Sequence, residues 1–473
     1  MKLLLPYTMG LAGLLAYQPI QAKKPIRPVN FIVVYLDDMG YGDLTLTGAQ
    51  GYKTPNIDKM AKEGVFFTSF YSPQAVSSAS RAGLLTGCYP NRIGMSGAID
   101  HTAKIGISEE EETIASVLKE KGYTCGAFGK WHLGYQKQFL PIHHGFDEFY
   151  GIPYSHDMSP NHPVTKNYYP PLPLIEGDEV IATSPDITQF TTKFTERTID
   201  FIRRNKSHPF FAYLAQPLPH VPLAVSDKFK GKSKQGLYGD VMMEIDWSMG
   251  QILQALKDLK LDDNTLVIFT SDNGPWLNYG NHAGSTGGLR EGKGTSYEGG
   301  QRLPCIMRWK GKIPEGLVCN NLASGIDILP TIATIAGAPL PKKKIDGVNI
   351  LPLMMGNFEE NPRKSFLYYY RRNSLEAVRN ETFKLVFNHP GRTYEGFLPG
   401  KDGMPGGANE NFNFTGGLYD MRRDPGERYD VSKMYPEIVE KLELIAREAR
   451  EDLGDDIAGS QGKNRRSPGR VKE

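Results

Sequence analysis

Residues 30–40, Asn-Phe-Ile-Val-Val-Tyr-Leu-Asp-Asp-Met-Gly, decide the fold class. The run from 31 to 36 is apolar and rich in β-branched and aromatic side chains, which is typical of a strand buried on both faces of a parallel sheet. Asp37 and Asp38 follow at once and predict a polar loop at the carboxyl end of that strand. We therefore expect a fold in which helices alternate with strands of this kind.

The chain beyond this strand alternates between helical and strand patterns. Residues 189–205 and 241–259 carry apolar side chains at three-to-four spacing, so both segments are predicted to be amphipathic helices. A further helix is predicted at 112–121, and short apolar runs predict strands at 123–128, 209–215 and 265–269. The alternation indicates an α/β fold with a mostly parallel mixed sheet sandwiched by helices.

A smaller region is predicted after this α/β part. Short strands at 365–370, 382–388 and 417–421 precede a terminal helix at 435–453. We therefore divide the chain into a signal peptide (1–22), a main domain (23–356), a smaller α+β domain with a short antiparallel sheet (357–455) and a disordered tail (456–473). The tail is polar and locally basic, a composition that favours disorder.

Composition excludes several classes of function. The formal net charge of +2 on 473 residues is too small to indicate a nucleic acid or an anionic membrane as a partner. Lys2, an apolar run at 3–17 and the Ile-Gln-Ala sequence at 20–22 predict a cleaved signal peptide. No later segment is apolar over a length that would cross a bilayer, so we expect an exported, periplasmic protein without membrane insertion.

The four cysteines are too few for a disulfide scaffold, and their spacing does not match a metal site. A single bridge between Cys305 and Cys319 is left open by the sequence. The oligomeric state is left open as well.

Polar side chains follow several of the predicted strands. Asp37, Lys130, His220 and Asp272 each come after one of them. Because ligands bind at the carboxyl ends of the strands in such sheets, we expect these residues to form one composite site. Asp37, Asp38, Asp272 and Asn273 supply hard oxygen ligands, which suit Ca²⁺ or Mg²⁺ better than zinc.

Other candidates carry charge or protons. Lys130 and the glycine-flanked Lys293 would bind an anionic group, and His132 and His220 would transfer protons near neutral pH. Taken singly, each lysine is as easily a solvated surface charge and each histidine a structural residue. Their shared position after strands favours the functional interpretation.

Residues 77–87 read Ser-Ser-Ala-Ser-Arg-Ala-Gly-Leu-Leu-Thr-Gly. Taken alone, they describe a serine-rich turn that caps a short apolar helix. The stretch also resembles the maturation signature of type I formylglycine-dependent sulfatases of the alkaline phosphatase superfamily, in which Ser77 stands at the converted position. Further runs resemble the arylsulfatase A and N-acetylgalactosamine-6-sulfatase branch of that family; they are residues 36–43, 54–58, 129–134, 151–157, 271–274 and 292–300.

This resemblance implies an alkaline-phosphatase-like fold and a set of roles. One Ca²⁺ would be held by Asp37, Asp38, Asp272 and Asn273 and would contact the modified residue 77. Arg81 would brace the modified side chain, and His132 would hydrogen-bond the nucleophile. Sulfate oxygens would be bound by Lys130, Lys293 and Ser155. His220 would stand near the leaving oxygen, and His156 would assist substrate recognition.

The resemblance also implies an activity and partners. Residues 23–356 would form the catalytic domain of a sulfatase that acts on sulfated saccharides, with galactose or N-acetylgalactosamine 6-sulfate as the first guess. A serine at the converted position implies maturation by an anaerobic radical S-adenosylmethionine enzyme. Two alternatives stay open, namely a phosphodiesterase or phosphonate hydrolase of the same superfamily, and a non-catalytic protein that binds sulfated glycans with Ser77 unmodified. Sugar specificity is expected to depend on the loops at 95–107, 154–174 and 392–414.

Overall fold

The computed structural model describes residues 27–160, 162–165 and 167–471. The predicted signal peptide lies outside the described residues. The helices are α1 (Pro55–Lys62), α2 (Ser77–Thr86), α3 (Ile114–Lys119), α4 (Phe190–Arg204), α5 (Leu237–Asp258), α6 (Glu298–Gln301), α7 (Ile328–Ala336), α8 (Leu351–Met354) and α9 (Pro436–Leu453).

The strands of the first part of the chain are β1 (Asn30–Leu36), β2 (Val65–Tyr71), β3 (Ile105–Gly106), β4 (Thr124–Lys130), β5 (Glu148–Ile152), β6 (Pro173–Glu176), β7 (Glu179–Thr183), β8 (Phe210–Ala215), β9 (Thr265–Ser271), β10 (Arg302–Trp309), β11 (Leu317–Cys319) and β12 (Ala323–Ser324). The later strands are β13 (Phe366–Tyr370), β14 (Ser374–Arg379), β15 (Phe383–Val386), β16 (His389–Thr393), β17 (Asn409–Phe414), β18 (Gly417–Asp420) and β19 (Gly469–Arg470).

An 11-stranded mixed sheet forms the centre of the molecule, in the order β11-β2-β10-β9-β1-β8-β4-β5-β6-β7 with β12 beside β2. The middle strands β9, β1, β8, β4 and β5 are parallel, whereas β10 and the β5–β6–β7 edge pair in antiparallel fashion. The predicted mostly parallel sheet is confirmed.

The side chains of β1 alternate between two hydrophobic cores. Phe31, Val33 and Tyr35 pack with α2, α3 and α7 on one face, while Ile32, Val34 and Leu36 pack with α1, α4 and α5 on the other. All seven residues of β1 are buried. Burial on both faces explains why the sequence of this strand is almost continuously apolar.

The smaller C-terminal sheet is antiparallel, in the order β13-β14-β15-β18. Helix α9 packs on β14 and β15, and its Leu442 and Ala446 join the third hydrophobic core. The predicted α+β region with a short antiparallel sheet is confirmed. Strand β14 was not predicted.

A group of buried charges joins the two sheets, and we call it the interface cluster; it comprises Glu298, Arg379, Lys384 and Glu427. The Lys384 ammonium lies 3.3 Å from Glu298 and 2.6 Å from Glu427. Tyr71 and Tyr368 donate hydrogen bonds of 2.6 and 2.9 Å to the two oxygens of Glu298. Side chains from both parts of the chain therefore solvate one carboxylate in place of water.

The prediction of a disordered tail is wrong for the residues that the structure describes. Strand β19 pairs with β3 in antiparallel fashion. Arg466 donates hydrogen bonds of 2.6 and 2.8 Å to the Glu111 carboxylate. The basic character that favoured disorder instead supplies a specific ion pair that fastens the chain end to the main domain.

Cys305 and Cys319 are both free, as are Cys88 and Cys125. Cys305 and Cys319 flank β2 from opposite sides, because each of these two residues pairs with Phe67 from a different neighbouring strand. Two strand spacings amount to roughly 9 to 10 Å. That separation is too long for a disulfide, so the bridge that the sequence left open is absent. Among the described residues, no helix is sufficiently long and apolar to cross a membrane.

Candidate active site

Three strands deliver the candidate residues to one edge of the large sheet. β1 ends at Leu36 immediately before Asp37, β4 ends at Lys130 itself, and β9 ends at Ser271 immediately before Asp272. β1 lies between β9 and β8, with β4 on the far side of β8. Parallel direction and neighbouring positions bring these strand ends together, as the sequence predicts.

Ser77 is the first residue of α2 and points at this edge. Its Oγ donates a 2.9 Å hydrogen bond to Asp37 Oδ1 and lies 3.2 Å from the Lys130 ammonium. Lys130 also contacts the second oxygen of Asp37. The Ser77 hydroxyl is therefore held between a carboxylate and a cation.

Arg81 lies one helical turn further along α2 and is completely buried. Its guanidinium donates a 2.8 Å hydrogen bond to Asp272 Oδ2 and a 3.2 Å hydrogen bond to the Lys130 carbonyl. The arginine thus fixes α2, and with it Ser77, against the ends of β4 and β9.

Lys293 binds the second aspartate of the pair, with its ammonium 2.7 Å from Asp38 Oδ1. Asn273 donates a 2.7 Å hydrogen bond to the same oxygen, and His220 Nε2 lies 3.6 Å from Asp38 Oδ2. Asp37, Asp38, Asp272, Arg81, Lys130 and Lys293 form what we call the site cluster.

Three buried side chains at the site lie close enough together to share a metal ion, and one of them, His220, is not in the predicted ligand set. Ligand atoms of Asp37, Asp38 and His220 lie within 4.8 Å of one another. Within the described part of the chain, Asn273 Oδ1 is buried and has no hydrogen-bond donor. An amide oxygen without a partner, beside three carboxylates, is an arrangement that a hard cation satisfies.

Burial and mutual contact shift the pKa values of the site cluster. Burial opposes ionisation of Asp37, but Lys130 above all holds its pKa well below the ordinary value. Burial and the Asp37 charge raise the pKa of Asp272 to about 6. Asp38 raises the pKa of Lys293 despite the burial of that ammonium. Asp37 and Lys293 therefore form fixed opposite charges on the two sides of the cluster.

The two candidate histidines are buried, and their hydrogen bonds define their tautomers. His132 Nε2 lies 2.8 Å from the Ile99 carbonyl, which can only accept, so Nε2 donates and the buried Nδ1 is an acceptor that finds no donor among the described residues. His220 Nδ1 donates to the Val221 carbonyl, which leaves Nε2 for the site. Burial, reinforced by Lys293, lowers the pKa of His220 to about 4.

Two site residues have strained backbone conformations. Asp38 has a φ of +64° and His132 a φ of +63°. Both lie in the left-handed region, which residues other than glycine rarely occupy. Such strain collects at functional positions, where the surrounding structure enforces it. The strain therefore supports a functional role for both loops.

A cavity of about 230 Å³ opens on this arrangement. The predicted residues among its lining are Ser77, Lys130, His132, Ser155, His220 and Lys293. One wall thus carries the hydroxyl of Ser77, and two lysines and two histidines surround the same space.

Comparison with known proteins agrees with this geometry. The sulfatase family model matches residues 29–338, and models of the C-terminal region of aryl-sulfatase and of the N-sulphoglucosamine sulphohydrolase C-terminus match residues 361–467 and 292–391. The chain belongs to the sulfatase family. It is therefore a sulfuric ester hydrolase.

Similar relatives cover most of this sulfatase. N-acetylgalactosamine-6-sulfatase of Canis lupus familiaris is 37% identical over 452 residues, covering 89% of this chain and 84% of the relative. Arylsulfatase A of Homo sapiens is 37% identical over 446 residues, covering 89% and 87%. A solved structure described under the metabolism of multiple glycosaminoglycans by Bacteroides thetaiotaomicron is 28% identical with a TM-score of 0.77, covering 90% and 99%.

His156 does not line the sulfatase cavity. It is fully buried, its Nε2 lies 3.0 Å from the Pro222 carbonyl, and its ring packs at 5.7 Å from the ring of His220. His156 thus lies behind His220 and outside the cavity wall, and its part in substrate recognition stays a prediction.

Sequence reasoning missed several residues that line the cavity of this sulfatase; they are Asp157, Met158, Trp276, Tyr370 and Arg392. Asp157 ends a motif in which only Ser155 and His156 were selected. Trp276 lies three residues beyond Asn273, and the Lys293 ammonium sits 4.5 Å from the centre of its ring. Tyr370 lies outside every segment that the sequence linked to the site, whereas Arg392 begins the 392–414 loop, which was expected to affect sugar specificity without any residue in it being selected.

Proposed function

We propose that this sulfatase releases sulfate from sulfated saccharides, through a formylglycine made from Ser77 and a bound Ca²⁺. The observation that carries the proposal is the position of Ser77 Oγ, which borders the cavity between Asp37 at 2.9 Å and Lys130 at 3.2 Å. A nucleophile directed at an anionic ester requires a neighbouring cation and a neighbouring proton acceptor. The name of the relative N-acetylgalactosamine-6-sulfatase supports N-acetylgalactosamine or galactose 6-sulfate as the first substrate to test.

Calcium is the cofactor proposed for the site cluster. Asp37, Asp38, Asp272 and Asn273 would hold it, and the unpartnered Asn273 oxygen supports this assignment among the described residues. When bound, Ca²⁺ would draw electron density from a sulfate oxygen and favour the ionised form of the hydroxyl at residue 77.

A hydrated aldehyde at position 77 fits the surrounding donors and acceptors. It would supply one hydroxyl as nucleophile and a second hydroxyl that permits release of sulfate. His132 Nδ1, a buried acceptor that no donor in the described part of the chain satisfies, is available to hold one of these hydroxyl protons. Arg81 fixes the helix that carries them.

The remaining residues would bind sulfate oxygens and transfer protons. Lys130 and Lys293 supply the charge that compensates sulfate oxygens as negative charge develops on them. His220 Nε2 is the ring atom directed at the site, because Nδ1 donates to the Val221 carbonyl. It would donate a proton to the departing sugar oxygen from the imidazolium form, which the negative charge of a bound sulfate ester favours. Ser155 lines the same cavity and is a further candidate for binding a sulfate oxygen.

Mass spectrometry of the Ser77 peptide tests the proposal. The protein is purified from its native host, or co-expressed with an anaerobic radical S-adenosylmethionine maturase, and is then assayed on saccharides sulfated at different positions beside phosphate mono- and diesters. Loss of two hydrogens at Ser77 together with release of sulfate supports the proposal. An unmodified Ser77, or faster turnover of phosphate esters, overturns it.

Export to the periplasm is proposed on the strength of the predicted signal peptide. Cell fractionation and N-terminal sequencing of the mature protein test it. A chain that begins near Lys23 in the periplasmic fraction is expected, and a cytoplasmic chain that retains residues 1–22 contradicts the proposal.

A further inference from the structure

A second cavity adjoins the catalytic one and is lined by arginines. It measures about 140 Å³, and its wall includes Gly294, Tyr370, Arg371, Arg372, Arg392 and Glu410. Tyr370 and Arg392 also line the catalytic cavity, so the two spaces share a wall. Three guanidinium groups face one carboxylate, which leaves an excess of positive charge beside the reacting group.

Arg371 and Arg372 form the turn between β13 and β14. Their φ angles are +44° and +68°, a conformation that glycine or asparagine adopts at lower cost in a tight hairpin turn. Tyr370 pairs with Ser374 across the turn, so the hairpin itself fixes both arginines at its tip. Arginine at two strained positions indicates that the side chains serve a purpose other than forming the turn.

Arg392 is held rigidly at the boundary between the two cavities. Its Nε donates to both oxygens of Glu410, at 2.9 and 3.0 Å, and its Nη1 donates to the Tyr394 hydroxyl. Tyr394 in turn donates a 2.6 Å hydrogen bond to the carbonyl of Lys293. The arginine is therefore tied to the loop that carries a predicted sulfate-binding lysine.

Gly294 allows this close approach. A Cβ atom at that position would lie 3.0 Å from Arg392 Nη1 and 3.2 Å from the Tyr370 hydroxyl, and its φ of +80° is strained for any other residue. The loop after Lys293 is thus shaped to bring the guanidinium next to the catalytic cavity.

We propose that Arg371, Arg372 and Arg392 form an anion subsite, which binds a second negatively charged group on the sugar next to the one that loses its sulfate. The planar guanidinium fork pairs with the oxygens of a carboxylate or of a sulfate. The position of this group relative to the scissile ester rests on the proposed function. The consequence is a preference for polyanionic saccharides over singly sulfated ones.

Three disaccharides test the subsite. They share a terminal 6-sulfated sugar, and their second sugar is neutral, carries a carboxylate or carries a sulfate. The ratio of kcat/KM for each charged disaccharide to that for the neutral one is measured in the wild type and in the double variant Arg371→Ala/Arg372→Ala. We expect the ratio to exceed one in the wild type and to fall about tenfold in the variant, mainly through KM, because a charge-assisted interaction is lost.

Arg423→Ala is the matched control, since that arginine belongs to the same domain and its side chain is 81% exposed. The control should leave the ratio within twofold of the wild type. A wild-type ratio near one for both charged disaccharides, or an equal loss on all three in the double variant, overturns the subsite. Comparison of the two charged disaccharides shows whether the subsite prefers a carboxylate or a sulfate.

Direct binding separates this proposal from the proposed function. Calorimetry with the Ser77→Ala protein measures the affinity for the same disaccharides in the absence of turnover. Tighter binding of a charged disaccharide, lost in the triple variant that adds Arg371→Ala and Arg372→Ala, supports the subsite even where the wild type releases no sulfate. Equal affinities for all three disaccharides overturn it.

Discussion

The site cluster and the interface cluster are both buried groups of carboxylates and cations, and they are built differently. In the interface cluster, two tyrosines saturate Glu298, and Lys384 bridges it to Glu427. In the site cluster, three aspartates crowd one sheet edge, Asp38 has a strained backbone, and Asn273 Oδ1 lacks a donor among the described residues. The interface cluster directs its charges at protein partners and serves folding. The site cluster holds its charges beside a cavity and a buried amide oxygen that lacks a donor in the described part of the chain, so it can receive a ligand.

Ser77→Ala should give the largest effect, a loss of sulfate release of at least about 10³-fold, because the proposed nucleophile is removed. The fold should persist, since the variant gives up only the hydrogen bond to Asp37 and the contact with Lys130. Sulfate release by ion chromatography and thermal melting by circular dichroism measure the two effects. Activity that survives in the variant would contradict the assignment of the nucleophile.

His220→Ala should reduce hydrolysis of sugar sulfates by about 10²- to 10⁴-fold, because a sugar oxygen needs a proton to leave. An aryl sulfate with a good leaving group needs this help less and should lose far less. Rates on the two substrate types are compared in the same preparation. Equal losses on both would exclude His220 from the leaving-group step.

Lys384→Met should lower the stability of the fold, whereas the site variants lower the rate of the reaction. Removing one partner from a buried ion cluster costs about 3 to 5 kcal/mol of unfolding free energy. Glu427 loses its ammonium partner, whereas Glu298 keeps the two tyrosines and Arg379. Denaturant unfolding measures the loss. Lys401→Met, at a side chain that is 81% exposed, is the control and should change the midpoint little. Comparable midpoints for the two variants would show that the interface cluster contributes little to stability.

Calcium should stabilise the site cluster specifically. An ion at 100 times its dissociation constant adds about 2.7 kcal/mol, which raises the melting temperature of the chelator-treated protein. Asp272→Asn should abolish most of this rise, and Asp402→Asn, at an exposed aspartate, should retain it. Differential scanning fluorimetry with Ca²⁺ and with Mg²⁺ measures the shifts. A rise that is equal in both variants would place the ion elsewhere.

Glu376→Gln should change the pH dependence of stability and leave the reaction rate alone. Burial raises the pKa of Glu376 to about 8, above its ordinary 4.5, and His389 lies 3.3 Å away. The contribution of its neutral form to stability is complete below pH 4.5 and is lost as the pH rises through 8. At about 1.4 kcal/mol per pH unit, the wild type should lose more stability than the variant between pH 5 and 8. Parallel unfolding curves across that range would contradict the raised pKa.

The sheet edge was predictable because its signals are local. A buried strand followed by Asp37 and Asp38 specifies both the element and the side on which its polar residues lie. The strands that end at Lys130 and just before Asp272 do the same, and parallel pairing brings the three ends together. Glu298 and Lys384 give no comparable signal, because their partners are supplied by tertiary contacts between distant segments.

The parts that the sequence missed depend on such distant contacts. Strand β14 reads Ser-Leu-Glu-Ala-Val-Arg, and its charged residues are buried only because β13 and β15 flank it and the interface cluster receives Arg379. Arg392 reaches the cavity through the C-terminal hairpin of β16 and β17. Local composition predicts neither strand β14 nor the position of Arg392, because polar residues of these types are as common in exposed turns as in short strands.

The burial of α2 has a consequence for the timing of synthesis. All ten of its residues are buried, so an enzyme that reads the sequence around Ser77 needs the helix before it is packed. Residues 361–467, which complete the domain, leave the ribosome after the motif. At roughly 5 to 20 residues per second, the chain beyond residue 87 takes about 20 to 80 seconds to make. Under the proposed function, conversion of Ser77 would compete with translation and folding, so slower elongation or slower export would raise the modified fraction.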